Sequence, residues 1–200
     1  MNKIILIGAG GHAKSCIDVI EKTKKYKIIG LIDNKLSVGT KVLGYKVIGT
    51  DSELKSLFKR DIKFAHIAIG SIKDSSLRKY LFVKLSEIGF KFPVIISPQA
   101  LVSKYCYIDA GTIIMNHVII NTDAKIGKNC IINNKTLIEH DCYIDDHSHI
   151  ATSVTINSTV KIGKLCFVGS GSVIKQNITV QDNSFVNMGS IVFKDIKKGH

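Results

Sequence analysis

Two short stretches of the 200-residue chain carry residue types that can do chemistry. The first is Leu137-Ile138-Glu139-His140-Asp141, an imidazole between two carboxylates. A carboxylate beside a histidine fixes the ring tautomer and prepares it to take a proton as a general base. Neighbouring side chains on a strand point to opposite faces, so the triplet needs a turn to bring Asp141 or Glu139 to the ring. The second is Gly8-Ala9-Gly10-Gly11-His12. A glycine turn that feeds a helix leaves free N–H groups, which bind a phosphate or another polar anion. That motif is of low specificity, and a turn without a ligand is its plain alternative. The remaining histidines read mostly as bland: His66 falls in a strand, His117 and His147 at turns, and His200 at the end of the sequence.

The element that must position His140 is a repeat. Every sixth residue from Ile96 to Val192 is Ile or Val, with no break in phase. β-branched residues at that spacing suit short buried strands. Four residues after each lies a second column of mostly small residues, among them Cys106, Cys130, Cys142 and Cys166. The pattern predicts a left-handed parallel β-helix of hexapeptide repeats, with about eighteen residues per triangular coil and about five coils. The small column packs inside, so these cysteines are buried thiols rather than ligands or nucleophiles. Cys16 lies on an amphipathic helix and packs as well. Outward positions such as Ile113, Ile119, Ile131 and Leu137 are apolar, and a threefold ring is the usual closed solution for such faces.

Coil arithmetic then positions the chemistry. One coil on from His140 is Ser158, whose backbone N–H can serve as an oxyanion donor for acyl transfer. His149 is half a coil from His140, so the two share a site only across a subunit boundary.

The first half is a different unit. An apolar run at Ile4 to Ile7 leads through the glycine turn into a helical pattern ending near Lys24. Strands follow at Ile28 to Ile32, ending in Asp33, and at Phe64 to Ile69, ending in Gly70-Ser71. A helix is expected from about Ser75 to Glu87. The alternation predicts an α/β N-terminal domain, Rossmann-like with a small parallel sheet, over residues 1–93, with the β-helix over 94–200. Lys14 and Ser15 stand where a dinucleotide fingerprint has its third glycine, so a nucleotide-sugar diphosphate suits the turn better.

The bulk numbers exclude other classes. The net charge is +12, but the lysines are scattered, Trp is absent and no nucleic-acid motif occurs, so a solvated basic surface is expected. No run approaches the ~20 apolar residues of a membrane span. The start does not read as a signal peptide, and the protein is expected to be cytoplasmic. No metal-ligand set is present.

The glycine turn, the Asp33 and Ile69-Gly70 strand ends, and Leu137 to Asp141 followed by His149 together resemble bacterial sugar acetyltransferases of the NeuD/PglD type. The resemblance implies acetyl-CoA as cosubstrate and His140 as general base, with Asp141 where relatives often carry Glu. It implies polar contacts from Asn133 and from His149, the latter near acetyl-CoA. Ser158 and Met188 stand where the family tends to place glycine along the coenzyme groove, with Ser170 and Gly189 as further contacts; Met188 is placed to crowd that groove. Gly10, Gly11, His12, Asp33, Gly70 and Ser71 fall on the nucleotide-sugar side. The family continues into a Gly-x-Pro-Ala-Lys segment, whereas here Lys198-Gly199-His200 ends the sequence, which implies a shortened chain. The implied acceptor is the 4-amine of a UDP-linked amino-sugar, with a sialic acid hydroxyl as the alternative and a non-catalytic scaffold as a rival. The interior cysteines favour direct transfer without an acyl-enzyme.

Overall fold

The computed structural model describes residues 1–72 and 74–197. The expectations for Lys198, Gly199 and His200 lie outside the described residues.

The first unit is a five-stranded sheet. β1 (Asn2–Ile7) leads to α1 (Gly11–Thr23), β2 (Tyr26–Ile32), β3 (Lys41–Val42), β4 (Tyr45–Gly49), α2 (Leu54–Lys59), β5 (Phe64–Ile67) and α3 (Ser76–Ile88). The sheet order is β3-β4-β2-β1-β5, parallel except for the β3–β4 pair. β1 is an interior strand between β2 and β5, covered on both faces, which is why it reads as an unbroken apolar run. Ile4, Ile5 and Leu6 are fully buried. α1 turns Ala13, Cys16, Ile17, Val19 and Ile20 inward. β5 stops two residues short of the expected Ile69, because the chain turns there and the Ile69 carbonyl faces the Arg78 guanidinium. β3, β4 and α2 carry no periodic signal strong enough to read.

The second unit is a three-sided parallel β-helix. Its two-residue strands form sheets of six, five and six. Backbone hydrogen bonds run from coil to coil, as from Glu139 N–H to Ile156 O at 3.0 Å. From Gly111 to Gly189 each corner is made by one residue in the left-handed region, three positions after the Ile or Val of the repeat. His117, Asp123, Asn129, Lys135, Asp141 and His147 follow this rule. From Ile114 to Val192 the Ile/Val column is buried. Its first member departs from the expectation: Ile96 is 37% exposed, because it faces the open end of the prism.

The small-residue column ties the coils from inside. Thr136 and Ser148 donate hydroxyl hydrogens to the Ala151 and Gly163 carbonyls. The Cys130, Cys142 and Cys166 thiols do the same to Asp145, Asn157 and Gln181 at 3.1–3.2 Å. Burial pushes the Cys16 and Cys130 thiols up to about 12 and those of Cys142 and Cys166 up to about 11. They are therefore neutral and unreactive at physiological pH.

One expectation about the outer faces is corrected. Ile113 and Ile131 do not form an open self-association face. They are fully buried, because the α/β domain docks on the face that carries Ile95, Ile113, Ile131, His149, Phe167 and Phe185. Phe82 of α3 stacks on Phe92 at 4.4 Å and edges onto His147 at 5.6 Å. The next face stays open. Its outward column is Leu101, Ile119, Leu137, Thr155, Val173 and Ile191, with Leu101 70% and Ile191 63% exposed. No helix among the described residues is long and apolar enough to cross a membrane.

Candidate functional site

Asp141 adopts φ 60°, the corner conformation, and this supplies the turn that the triplet needs. The turn brings the Asp141 carboxylate, not Glu139, to the ring. His140 Nδ1–H donates to Asp141 Oδ2 at 2.7 Å. Glu139 instead accepts from Asn121 Nδ2 at 2.8 Å, one coil away. With its proton on Nδ1, the ring presents the Nε2 lone pair outward. Ser158 lies on the next coil, as the arithmetic places it, and Thr159 N–H donates to His140 O at 3.1 Å. The contact to the ring is made by the Ser158 hydroxyl, which donates to His140 Nε2 at 2.9 Å. The Ser158 N–H has no protein acceptor among the described residues. His140 and Asp141 side chains are 53% and 55% exposed, so the corner is open to a substrate.

A second feature is a cavity of about 320 Å³ in the α/β domain. It is lined by the glycine turn and His12, by Ile32 to Lys35, by Asp51, by Ala68 to Gly70, and by Leu77 and Leu81. Gly8 is required at the turn: its φ is +105°, and an added Cβ would lie 2.5 Å from Ile69 Cγ1. Gly10 and Gly11 have open space beyond Cα, and α1 begins at Gly11, so its first N–H groups face the cavity side. Asp33 is part of this wall and braces it. It accepts the Ala9 N–H at 2.8 Å and the Lys35 and Leu36 N–H groups at 2.8 and 3.0 Å. Burial disfavours its charge, but these donors win and hold the carboxyl below the usual range. Lys35, two residues on, is the cation nearest to hand for a phosphate, and the sequence reading missed it.

Between the two units lies a polar seam. Arg78 is 1% exposed and has no carboxylate partner among the described residues. Its guanidinium donates to Ile67 O, Ile69 O, Asn129 O and Asn129 Oδ1 at 2.5–3.1 Å. His149 Nδ1–H donates to Ser71 O at 2.5 Å, and Ser71 Oγ meets Ser75 Oγ at 3.0 Å. Two expected contacts are therefore placed elsewhere. Ser71 is not among the cavity-lining residues; its carbonyl is turned to the β-helix. His149 is 7% exposed, because Ser71 and the docked domain cover it, so within one chain it offers no open atom to a coenzyme. Asn133, with its Oδ1 on Asn134 N–H at 2.8 Å, sits at the far end of the open face from His140. Ser170, Met188 and Gly189 lie on that same far corner, where Gly189 N–H donates to Ser170 O at 2.9 Å. Met188 is 77% exposed there, rather than packed into a groove of this chain. Arg78 left no sequence signal: a lone Arg in an amphipathic helix reads as solvated.

The seam also fixes a pH response. His12 is pulled down to about 3 and His149 to about 4, by burial first and then by the Arg78 charge; His66 is lowered for the same reasons. His147 falls to about 4 through burial, with Asp146 opposing. The unfolded chain thus takes up these protons first. Stability is full above about pH 6.5 and is lost as the pH falls from there toward 4. His66 and His149 should each add about 1.4 kcal/mol per pH unit to that slope. Urea midpoints measured at pH 7 and pH 5 test this; equal midpoints would contradict neutral buried histidines.

Comparison with known proteins fits this geometry. The PglD N-terminal domain family matches residues 3–85, and the GMPPB C-terminal domain family matches residues 90–199. UDP-N-acetylbacillosamine N-acetyltransferase of Bacillus subtilis (strain 168) is 32% identical over 117 residues, 58% of this chain and 52% of that enzyme. The match thus spans about half the length of that curated relative. A histidine-to-asparagine mutant of perosamine N-acetyltransferase from Caulobacter crescentus, solved with CoA and GDP-perosamine, superposes with a TM-score of 0.91. It is 28% identical, and the alignment covers 98% of this chain and 90% of that one. The acetyltransferase domain of PglB from Neisseria gonorrhoeae FA1090, in complex with acetyl coenzyme A, gives 0.92 at 27% identity, over 100% of this chain and 95% of that one. The model that matches residues 90–199 covers more than half of the chain, so the chain belongs to the GMPPB C-terminal domain family, and with its PglD-like first unit it is similar over both units to the NeuD/PglD-type sugar acetyltransferases.

Proposed function

We propose that this protein N-acetylates a nucleotide-linked amino-sugar with acetyl-CoA, in bacterial glycan biosynthesis. In the finer reading, the acceptor is the 4-amine of a UDP-sugar. The observation that carries the proposal is His140, held through Nδ1 by Asp141 on an open corner, with its Nε2 lone pair turned to the Ser158 hydroxyl at the place an acceptor would take. The relatives' names, with their UDP- and GDP-linked amino-sugars, support the substrate class.

His140 and Asp141 are absent from the lining of the cavity beside the glycine turn, so one chain does not unite base and nucleotide site. The uncovered apolar column from Leu101 to Ile191 supports a homotrimer in which a neighbour brings them together. The division at residues 93 and 94 belongs to the same reading. Gly10, Gly11, His12 and Gly70 hold the nucleotide side, with Asp33 bracing the turn. Ser170, Met188 and Gly189 border the coenzyme on the other corner, where Gly171 and Gly189 have open space beyond Cα, and Asn133 on that corner contacts the substrate. Acetyl-CoA supplies the acetyl thioester. His140 Nε2 takes the amine proton as the nitrogen attacks the thioester carbonyl. The Ser158 N–H is the donor available to the developing oxyanion, and the Ser158 hydroxyl must turn aside for the acceptor.

Thiol release with UDP-linked, GDP-linked and free amino-sugars and with sialic acid tests the reaction. Titration with UDP tests the nucleotide handle: at a hundredfold excess over Kd it should stabilise the fold by about 2.7 kcal/mol. Silence with UDP and GDP, together with thiol release driven by sialic acid, would overturn the nucleotide-sugar reading.

A further inference from the structure

The nitrogen that is to receive the acceptor's proton already has a hydroxyl on it. Ser158 Oγ lies 2.9 Å from His140 Nε2, and Asp141 Oδ2 lies 2.7 Å from His140 Nδ1. Hydroxyl, imidazole and carboxylate stand in the order nucleophile, base and orienter. The backbone that carries all three is fixed from coil to coil. Asp141 N–H donates to Thr122 O and Thr159 N–H to His140 O, both at 3.1 Å, which locks the corner positions of three successive coils. The flanking side chains are otherwise engaged. Asn157 Nδ2 donates to Ile174 O at 2.7 Å, and Thr159 Oγ1 faces Ser158 O and Asn177 Oδ1. Ser158 is half-buried beside an open ring, so a thioester can reach its oxygen. Its own N–H has no protein acceptor among the described residues and is therefore available to an oxyanion on the attacked carbonyl.

We propose that Ser158 is itself an acyl acceptor, so that without sugar the protein hydrolyses acetyl-CoA through an acetyl-serine. The proposal rests on the acetyl-CoA reading above. Ser158 Oγ attacks the thioester carbonyl and the C–S bond breaks. The hydroxyl proton passes to His140 Nε2 and then to the departing thiolate. Water next attacks the serine ester, with His140 taking its proton; the C–O bond breaks, acetate leaves, and the proton returns to Ser158. No oxidant, reductant or metal enters. An acceptor amine that displaces the hydroxyl from Nε2 diverts the acetyl group to the sugar. Burial of Cys16, Cys130, Cys142 and Cys166 excludes a thioester on them but leaves this serine open to acylation.

The test uses the full chain with acetyl-CoA alone. Thiol release should show a burst stoichiometric with chains, then slow turnover. Acid-quenched protein should carry one acetyl group, mapped by peptide mass to Ser158. Ser158→Ala should lower acceptor-free release by about 10²-fold or more; its backbone is not in the left-handed region, so Ala fits. Ser158→Cys should hold the acetyl group as a thioester cleaved by hydroxylamine. Unmodified Ser158, with acceptor-free release equal in wild type and Ser158→Ala, overturns the proposal alone if amino-sugar still drives thiol release. No thiol release under either condition overturns it together with the acetyl-CoA reading.

Discussion

Replacing His140 by Ala should lower turnover with the amino-sugar by about 10²–10⁴-fold while the protein stays folded. The size of the loss follows from the ring's position. Nδ1 is held by Asp141 and the Nε2 lone pair points at the place a nucleophile must occupy. Among the described residues no other imidazole can substitute within the chain, since His66 and His149 are buried, His12 is half-buried on the cavity wall of the α/β domain, and His117 and His147 lie at other corners. Folding should be spared for an equally local reason. The ring is 53% exposed, so Ala leaves no cavity, and the groups it abandons are solvated. A surface change of this kind stays within about 0.5 kcal/mol. Asp141→Asn should lose less than His140→Ala, because the amide retains the corner but no longer holds the proton on Nδ1. Steady-state kcat and KM, with size-exclusion chromatography and a urea midpoint for each variant, check the claim. Near-wild-type kcat in His140→Ala would remove His140 as the base.

How much of this was legible in sequence depends on periodicity. The β-helix was, because one side chain in six points inward and the corners tolerate almost anything. Ser158 could be set over His140 from the repeat alone, and the structure stacks them so. What the repeat cannot show is which outward face is covered. Ile113 and Ile131 look the same as Ile119 in sequence, yet a docked domain buries the first two and leaves Ile119 38% exposed. The same blindness hid the fate of His149: an outward position on a β-helix reads as free until the domain above it is placed. Corner conformation was also beyond reach. His140 has carboxylates on both sides, and only the left-handed turn at Asp141 selects between them. Arg78 was the largest miss. Its helix was expected, but a cation buried against carbonyl groups breaks the rule that charges face water, and only tertiary packing reveals the exception.

That exception carries the other large prediction. Arg78→Ala should destabilise the protein by roughly 3–5 kcal/mol. Four acceptor oxygens, one at the end of β5, one on the turn after it and two on the β-helix corner at Asn129, now share one guanidinium. Burial pulls that group down to about 10, so it remains charged at neutral pH. Its removal leaves buried carbonyls without donors, each costing about 1–3 kcal/mol, and opens a void in the seam. Arg78→Met separates the two effects, since it restores volume but no donors; it should recover only the smaller part. Because Ile69 and Gly70 also line the cavity, UDP should stabilise both variants less than wild type. A second signature has the opposite sense. The Arg78 charge helps to keep His12, His66 and His149 neutral. Without it their pKa values rise toward 6.5, so the loss of stability between pH 7 and pH 5 should be shallower in Arg78→Met than in wild type. Urea midpoints at both pH values, with imidazole titration by NMR, measure this. A wild-type midpoint in Arg78→Ala, or an unchanged histidine titration in Arg78→Met, would mean that the seam is held by its apolar contacts, Phe82 on Phe92 and α1 on the strand at Ile95, and not by the buried cation.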